Sequence, residues 1–122
     1  MSETVTKIDT LAKLEVFIKP GKLDAVKKAI ASAGYTGVTI SQAEGHGNQK
    51  GLKQKSDNGT FHLELLPKVR MEIVVAESDV EKMIQAISKA AQTGQLGDGK
   101  IFVSELRDVI RIRTGERGRN AI

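Results

Sequence analysis

The sequence predicts an α+β sandwich, a β-α-β-β-α-β chain whose two helices cover one face of an antiparallel sheet. Three observations predict it. A strand, helix and strand signal runs from residue 14 to residue 41, a second runs from residue 69 to residue 106, and a long glycine- and amide-rich stretch separates them. This order is that of the ferredoxin-like fold.

Each element has its own warrant. Residues 14–18 (LEVFI) form a β-branched and aromatic run stopped by Lys19, Pro20 and Gly21, which reads as a buried strand ended by a turn. In 22–33 (KLDAVKKAIASA), Leu23, Val26, Ile30 and Ala33 recur at helical intervals before Gly34, giving an amphipathic helix with a glycine stop. Residues 37–41 (GVTIS) give the second strand and 69–76 (VRMEIVVA) the third. Ser78 or Asp79 caps a second helix to about Ala91, with Val80, Met83, Ile84, Ile87 and Ala90 on one face, and 100–106 (KIFVSEL) is the last strand. Residues 45–60 (GHGNQKGLKQKSDNGT) hold too little apolar surface to pack and read as a mobile binding loop, since long unstructured connections in compact domains are usually functional or disordered.

With 122 residues and 39% hydrophobic content, one packed domain over 1–122 is expected. No cysteine is present, which excludes disulfides and thiolate chemistry and suits a reducing, cytoplasmic compartment. No apolar run approaches the roughly 20 residues that cross a bilayer, so no membrane insertion is expected. A net charge of +4 invites a nucleic-acid reading, but 15 acidic residues are interspersed and only Phe17, Tyr35, Phe61 and Phe102 are aromatic. A mixed, soluble surface accounts for the charge, and no nucleic-acid partner is expected. His46 and His62 are too few for a metal site.

The stretch 93–102 (TGQLGDGKIF) raises the question of phosphate. A nucleotide-hydrolysing glycine loop lies between a strand and a helix and carries Ser or Thr after its lysine. Here Ile101 follows Lys100, and the segment leaves a helix and enters a strand. Gly94, Gly97 and Gly99 still permit an anion-binding nest of backbone N–H groups, with a tight helix-to-strand turn the equal alternative. In 108–115 (DVIRIRTG), strand alternation puts Arg111 and Arg113 on one face, as a phosphate fork or as charges guarding an edge strand.

Taken together, FIKPGKLDAVKKAI (17–30), GVTISQAEGHGNQKG (37–51), LLPKVRMEIVV (65–75), AAQTGQLGDGKIFV (90–103) and VIRIRTGE (109–116) closely resemble the PII signal-transduction proteins of nitrogen regulation. The resemblance implies a homotrimer that binds ATP or ADP between neighbouring subunits. It makes 45–60 the mobile effector loop, 1–12 an N-terminal extension and 114–122 a C-terminal segment. It assigns Gly37, Thr39, Gly45, Glu72 and Val74 to the nucleotide, with Thr93, Gly97, Asp98, Gly99 and Lys100 as the phosphate loop and Arg111 and Arg113 closing on the phosphates. Family members commonly sense 2-oxoglutarate through Mg2+ bridging it to ATP; Gln49 then matches the magnesium ligand, the backbone of Lys50 and Gly51 completes the site, and Lys68 pairs with the distal carboxylate.

The departures carry information as well. Phe61 stands where many members have a uridylylated tyrosine and Gly59 where some have a phosphorylated serine, which excludes both modifications there. Asn48 replaces a frequent arginine, and Arg117 and Arg119 lie where acidic tail residues are common. The implied activity is binding that controls a target protein, an ammonium channel, another transporter or a nitrogen-metabolism enzyme, without catalysis. Competing readings are a paralogue that senses adenylates without 2-oxoglutarate, a weak ATPase and an RNA-binding ferredoxin-like domain. An ATPase lacks an evident base or paired carboxylates beside the glycine loop, and the RNA reading lacks sheet aromatics beyond Phe17 and Phe102.

Overall fold

The structure is a computed structural model that describes residues 10–45, 54–55, 61–62 and 66–122. Its strands are β1 (Leu11–Ile18), β2 (Val38–Gly45), β3 (Gln54–Lys55), β4 (Phe61–His62), β5 (Leu66–Ala76) and β6 (Gly99–Leu106). The helices are α1 (Leu23–Ser32) and α2 (Val80–Ala91). The four long strands form one antiparallel sheet in the order β2-β5-β1-β6, the ferredoxin-like arrangement, while β3 and β4 pair separately.

Alternation along β1 and β5 creates the core. Leu14, Val16 and Ile18 point to the helices with Val69, Met71, Ile73 and Val75 beside them, and all seven are buried. Onto them pack Val26 and Ile30 of α1 and Val80, Met83, Ile87 and Ala91 of α2. The periodic faces expected of both helices are therefore the faces they bury.

The opposite sheet face carries charge. One cross-strand row runs Thr39, Glu72, Glu15, Phe102 from edge to edge. The two carboxylates in that row would repel, but Arg70 joins them, with Nε 2.6 Å from Glu15 Oε2 and Nη2 2.8 Å from Glu72 Oε2. Lys13 Nζ adds a contact of 3.2 Å to Glu72, and Phe17 and Phe102 meet edge to face at 6.0 Å.

Several boundaries differ from the sequence reading, each for a local reason. Leu11 and Ala12, expected in the N-terminal extension, belong to β1 and are buried. The second strand continues to Gly45, because its partner β5 starts at Leu66 and offers pairing sites that far. The 45–60 segment holds β3, where a loop without structure of its own is expected; most of the segment lies outside the described residues. Neither Ser78 nor Asp79 caps α2 with its side chain; the chain enters through a 3-10 turn, Glu77–Asp79. Finally, 109–117 is no strand. Ile110 bridges Arg117, the Gly115 N–H donates to the Arg111 carbonyl at 2.7 Å, and 112–114 turn, with Gly115 at φ 76°. The turn-forming Thr114 and Gly115 override the alternation, so Arg111 and Arg113 do not share a strand face.

Candidate functional site

A cleft of about 590 Å³ opens between the turn that leaves α1, the middle of β5 and the C-terminal hairpin. It brings together Gly37, Thr39, Glu72, Val74 and Arg111, five of the residues expected at a nucleotide. The local chemistry explains the convergence. Gly34 at φ 99° ends α1, and the chain turns off the helix through 35–37 into β2. Thr39 then faces Glu72 across the β2–β5 ladder, on the helix-free side. Lys13 and Arg70 hold the Glu72 carboxyl below its usual range, the Lys13 hydrogen bond being the largest cause. Arg111 lines the cleft while its Nη1 lies 3.0 Å from Glu116 Oε1. Arg113 sits exposed on the neighbouring turn.

Tyr35, Asp79 and Arg119 also line this cleft, and sequence reasoning singled out none of the three as a site residue. The Tyr35 hydroxyl donates to Asp79 Oδ2 at 2.6 Å and accepts the Ala76 N–H at 3.1 Å. Burial, then the Asp79 bond, raises the phenol above its ordinary value, and that same bond leads the causes lowering Asp79. The available signal was the chain's single tyrosine, placed directly after a helix-ending glycine. Tyr35→Phe is expected to cost about 1 kcal/mol of stability, because it strips Asp79 and the Ala76 N–H of a partner. Urea denaturation checks this; an unchanged midpoint would show the bond to be worthless.

The 93–100 segment has a different organisation. Asp98 faces inward and accepts the Thr93 N–H at 2.7 Å, the Thr93 hydroxyl at 2.6 Å and the Gly94 N–H at 3.0 Å. Lys19 Nζ lies 3.2 Å from Asp98 Oδ1 and from Thr93 Oγ1. Lys68 Nζ donates to the Gly97 carbonyl at 2.5 Å, and burial, its largest influence, lowers its pKa. Thus the Thr93 and Gly94 amides serve the Asp98 carboxylate here, and Lys68 is tied to the same loop. Gly94, Gly97 and Gly99 all take positive φ, as a tight helix-to-strand turn requires.

The Asp98 bonds predict a pH response. The Thr93 hydroxyl, then its N–H, press the Asp98 carboxyl far below the ordinary carboxylate range. A depressed folded value means that the stabilisation is complete above the unfolded value of about 3.9 and disappears as pH falls through the folded one. The Thr93 and Gly94 amide resonances should therefore hold still from neutral pH down to about 4 and move only below it. Movement centred at or above that value in an NMR titration would contradict the loop geometry.

Within one chain the two groups of residues lie apart. Thr39 is on edge strand β2 and Gly99 and Lys100 on the opposite edge, β6, with β5 and β1 between, roughly 14 Å across the sheet. Gly45 ends β2 opposite Leu66. Gln49, Lys50 and Gly51 lie outside the described residues, as do Asn48, Gly59 and His46. Among the described residues, no group of three or more His, Cys, Asp or Glu could hold a metal ion, and no helix is long and apolar enough to cross a membrane.

The family model described as "Nitrogen regulatory protein P-II" matches residues 11–116. The chain belongs to the PII family. Among curated relatives, this PII chain is 49% identical over 112 residues to the P-II protein of Mesorhizobium japonicum, covering 92% of the chain and 100% of the relative. It is 46% identical over 113 residues to P-II 1 of Methanothermobacter thermautotrophicus, covering 93% and 98%. Solved structures similar to it include B. subtilis GlnK in complex with ATP, with TM-score 0.79, 30% identity and coverage of 96% and 100%. Arabidopsis thaliana PII bound to citrate gives TM-score 0.76, 38% identity and coverage of 93% and 94%. The PII relatives bear the names of regulatory proteins.

Proposed function

We propose that this chain is a cytoplasmic PII-type regulator, a homotrimer that holds ATP or ADP between subunits and controls a target protein through residues 45–60. The observation that carries the reading is the convergence of Gly37, Thr39, Glu72, Val74 and Arg111 on one cleft from three separate parts of the sequence. The glycines leave room for a planar base, Thr39 and Glu72 offer hydrogen-bonding groups, and the Arg111 guanidinium suits phosphate oxygens. The 93–100 loop of a neighbouring subunit supplies the other half, since a chain's own loop lies beyond two strands and the Glu15–Arg70–Glu72 network. Phe102, Val103, Ile110 and Ile112 are exposed in the single chain, which supports assembly with copies of itself.

Binding suffices for this function. A ligand that prefers one conformation of the effector segment shifts its population, and about 1.4 kcal/mol of preference shifts it tenfold. No catalytic residue is assigned. The target is a transporter, such as an ammonium channel, or an enzyme of nitrogen metabolism. The resemblance extends the reading to 2-oxoglutarate with Mg2+ and ATP: Gln49 would hold the cation, the Lys50 and Gly51 backbone would complete the site and Lys68 would pair with the distal carboxylate; oxygen donors of this kind suit a hard cation. Gln49 lies outside the described residues, so Lys68 is the accessible test of this part. Lys68→Ala is expected to weaken 2-oxoglutarate about tenfold or more and leave ADP nearly unchanged. Equal loss of both ligands in calorimetry would sink that assignment.

Calorimetry with ATP and ADP, and with 2-oxoglutarate in the presence and absence of Mg2+ and ATP, tests the whole reading, alongside light scattering for the trimer. Saturable nucleotide binding by a trimer is expected. A monomer that binds neither nucleotide contradicts it.

A further inference from the structure

The PII reading leaves the C-terminal segment without a role, yet that segment builds a wall of the cleft. Gly118–Ala121 form a 3-10 turn, and Arg119, Ala121 and Ile122 line the same cavity as Thr39, Glu72 and Val74. One carboxylate holds the turn there. Asp108 Oδ1 accepts the Val109 N–H at 2.8 Å and the Gly118 N–H at 3.2 Å, while Oδ2 accepts Arg117 Nε at 2.8 Å and lies 2.7 Å from Arg117 Nη2. The Gly118 N–H also donates to the Val109 carbonyl at 2.9 Å, and Gly118 at φ 64° turns the chain. Asp108 thereby ties both ends of the hairpin together. Arg119 comes next, close enough to Tyr35 and Asp79 to act electrostatically on both.

We infer that Arg119 is a further ligand-contacting residue of the cleft, and that Asp108 is the positioning residue that keeps it there. The inference rests on the proposed adenine nucleotide as ligand. A planar guanidinium in such a cleft stacks on the base or donates to ribose and phosphate oxygens, and either use strengthens binding. Asp108 touches no ligand; it acts by holding the tail over the cleft.

Trypsin cleavage after Arg119 reports the tail directly, and calorimetry reports the ligand. In the full wild-type chain, saturating ATP should slow that cleavage. Asp108→Ala should accelerate it without nucleotide and weaken both ATP and ADP by about fivefold or more. Arg119→Gln should weaken binding to a similar degree with the melting temperature held within about a degree or two, and Arg119→Lys should recover part of the loss. If ATP leaves the cleavage rate unchanged and Arg119→Gln binds like wild type, the contact is overturned. If Asp108→Ala neither frees the tail nor weakens binding while Arg119→Gln does, the positioning role is overturned. A wild-type chain that binds no adenine nucleotide overturns the functional reading itself, and this inference with it.

Discussion

Gly99→Ala should lower stability by about 3 kcal/mol, the largest single-residue loss expected outside the core. Two costs add. Gly99 sits at φ 111°, where an L side chain is strained by about 1–2 kcal/mol. A Cβ there would also collide with the Phe17 carbonyl oxygen, a backbone atom that cannot swing aside. Gly99 pairs with Ile18 at the start of the β1–β6 ladder, so relief means opening that ladder and displacing Lys100 beside it. At fixed protein concentration the melting temperature should fall by roughly 10 °C. A shift of a degree or two would show that β6 starts later than the structure has it. Gly94→Ala is the control: it shares a positive φ, at 83°, but has open space around its Cβ, so it should cost clearly less.

Arg111→Ala should weaken ATP and ADP by about 10- to 150-fold, the worth of one charge-assisted contact of about 1.5–3 kcal/mol. Its present partner is Glu116, an exposed pair of little value, so stability should hardly change. Lys100→Ala, on the far edge of the sheet, should cause a loss of similar size if both residues meet the same phosphates. A melting curve that falls with affinity would instead make Arg111 a structural residue. Arg113→Ala discriminates further, since Arg113 sits exposed on the turn rather than in the cleft. A loss equal to that of Arg111→Ala would mean that the hairpin turns inward on ligand binding.

What was legible in the sequence was whatever repeats. Leu14, Val16 and Ile18 announce a strand by alternation, and Val80, Met83 and Ile87 announce a helix face by spacing; both predictions agree with the buried core. Residues of the 37–39 and 72–74 segments could be grouped in advance only through the family resemblance, because nothing local in either strand says that Thr39 will face Glu72. The Tyr35–Asp79 bond joins residues 44 apart and has no periodic signature. Alternation misled at Arg111 and Arg113, where Thr114 and Gly115 impose a turn on a strand-like pattern. Asp98 was read as part of a phosphate loop, and its inward bonds to Thr93 and Gly94 depend on a fold of the loop that composition does not encode.

The central claim is that one nucleotide is gripped by two chains, by the cleft of one subunit and the glycine loop of its neighbour. Mixing subunits tests it most directly. Arg111→Ala and Lys100→Ala chains, each weak alone, are unfolded together, refolded as mixed trimers and titrated with ATP. Random assembly should restore tight binding at about a quarter of the clefts, those where an intact Arg111 faces an intact Lys100 from the next subunit. No recovery of tight sites in verified mixed trimers would place both residues on the same side of the site and contradict the account.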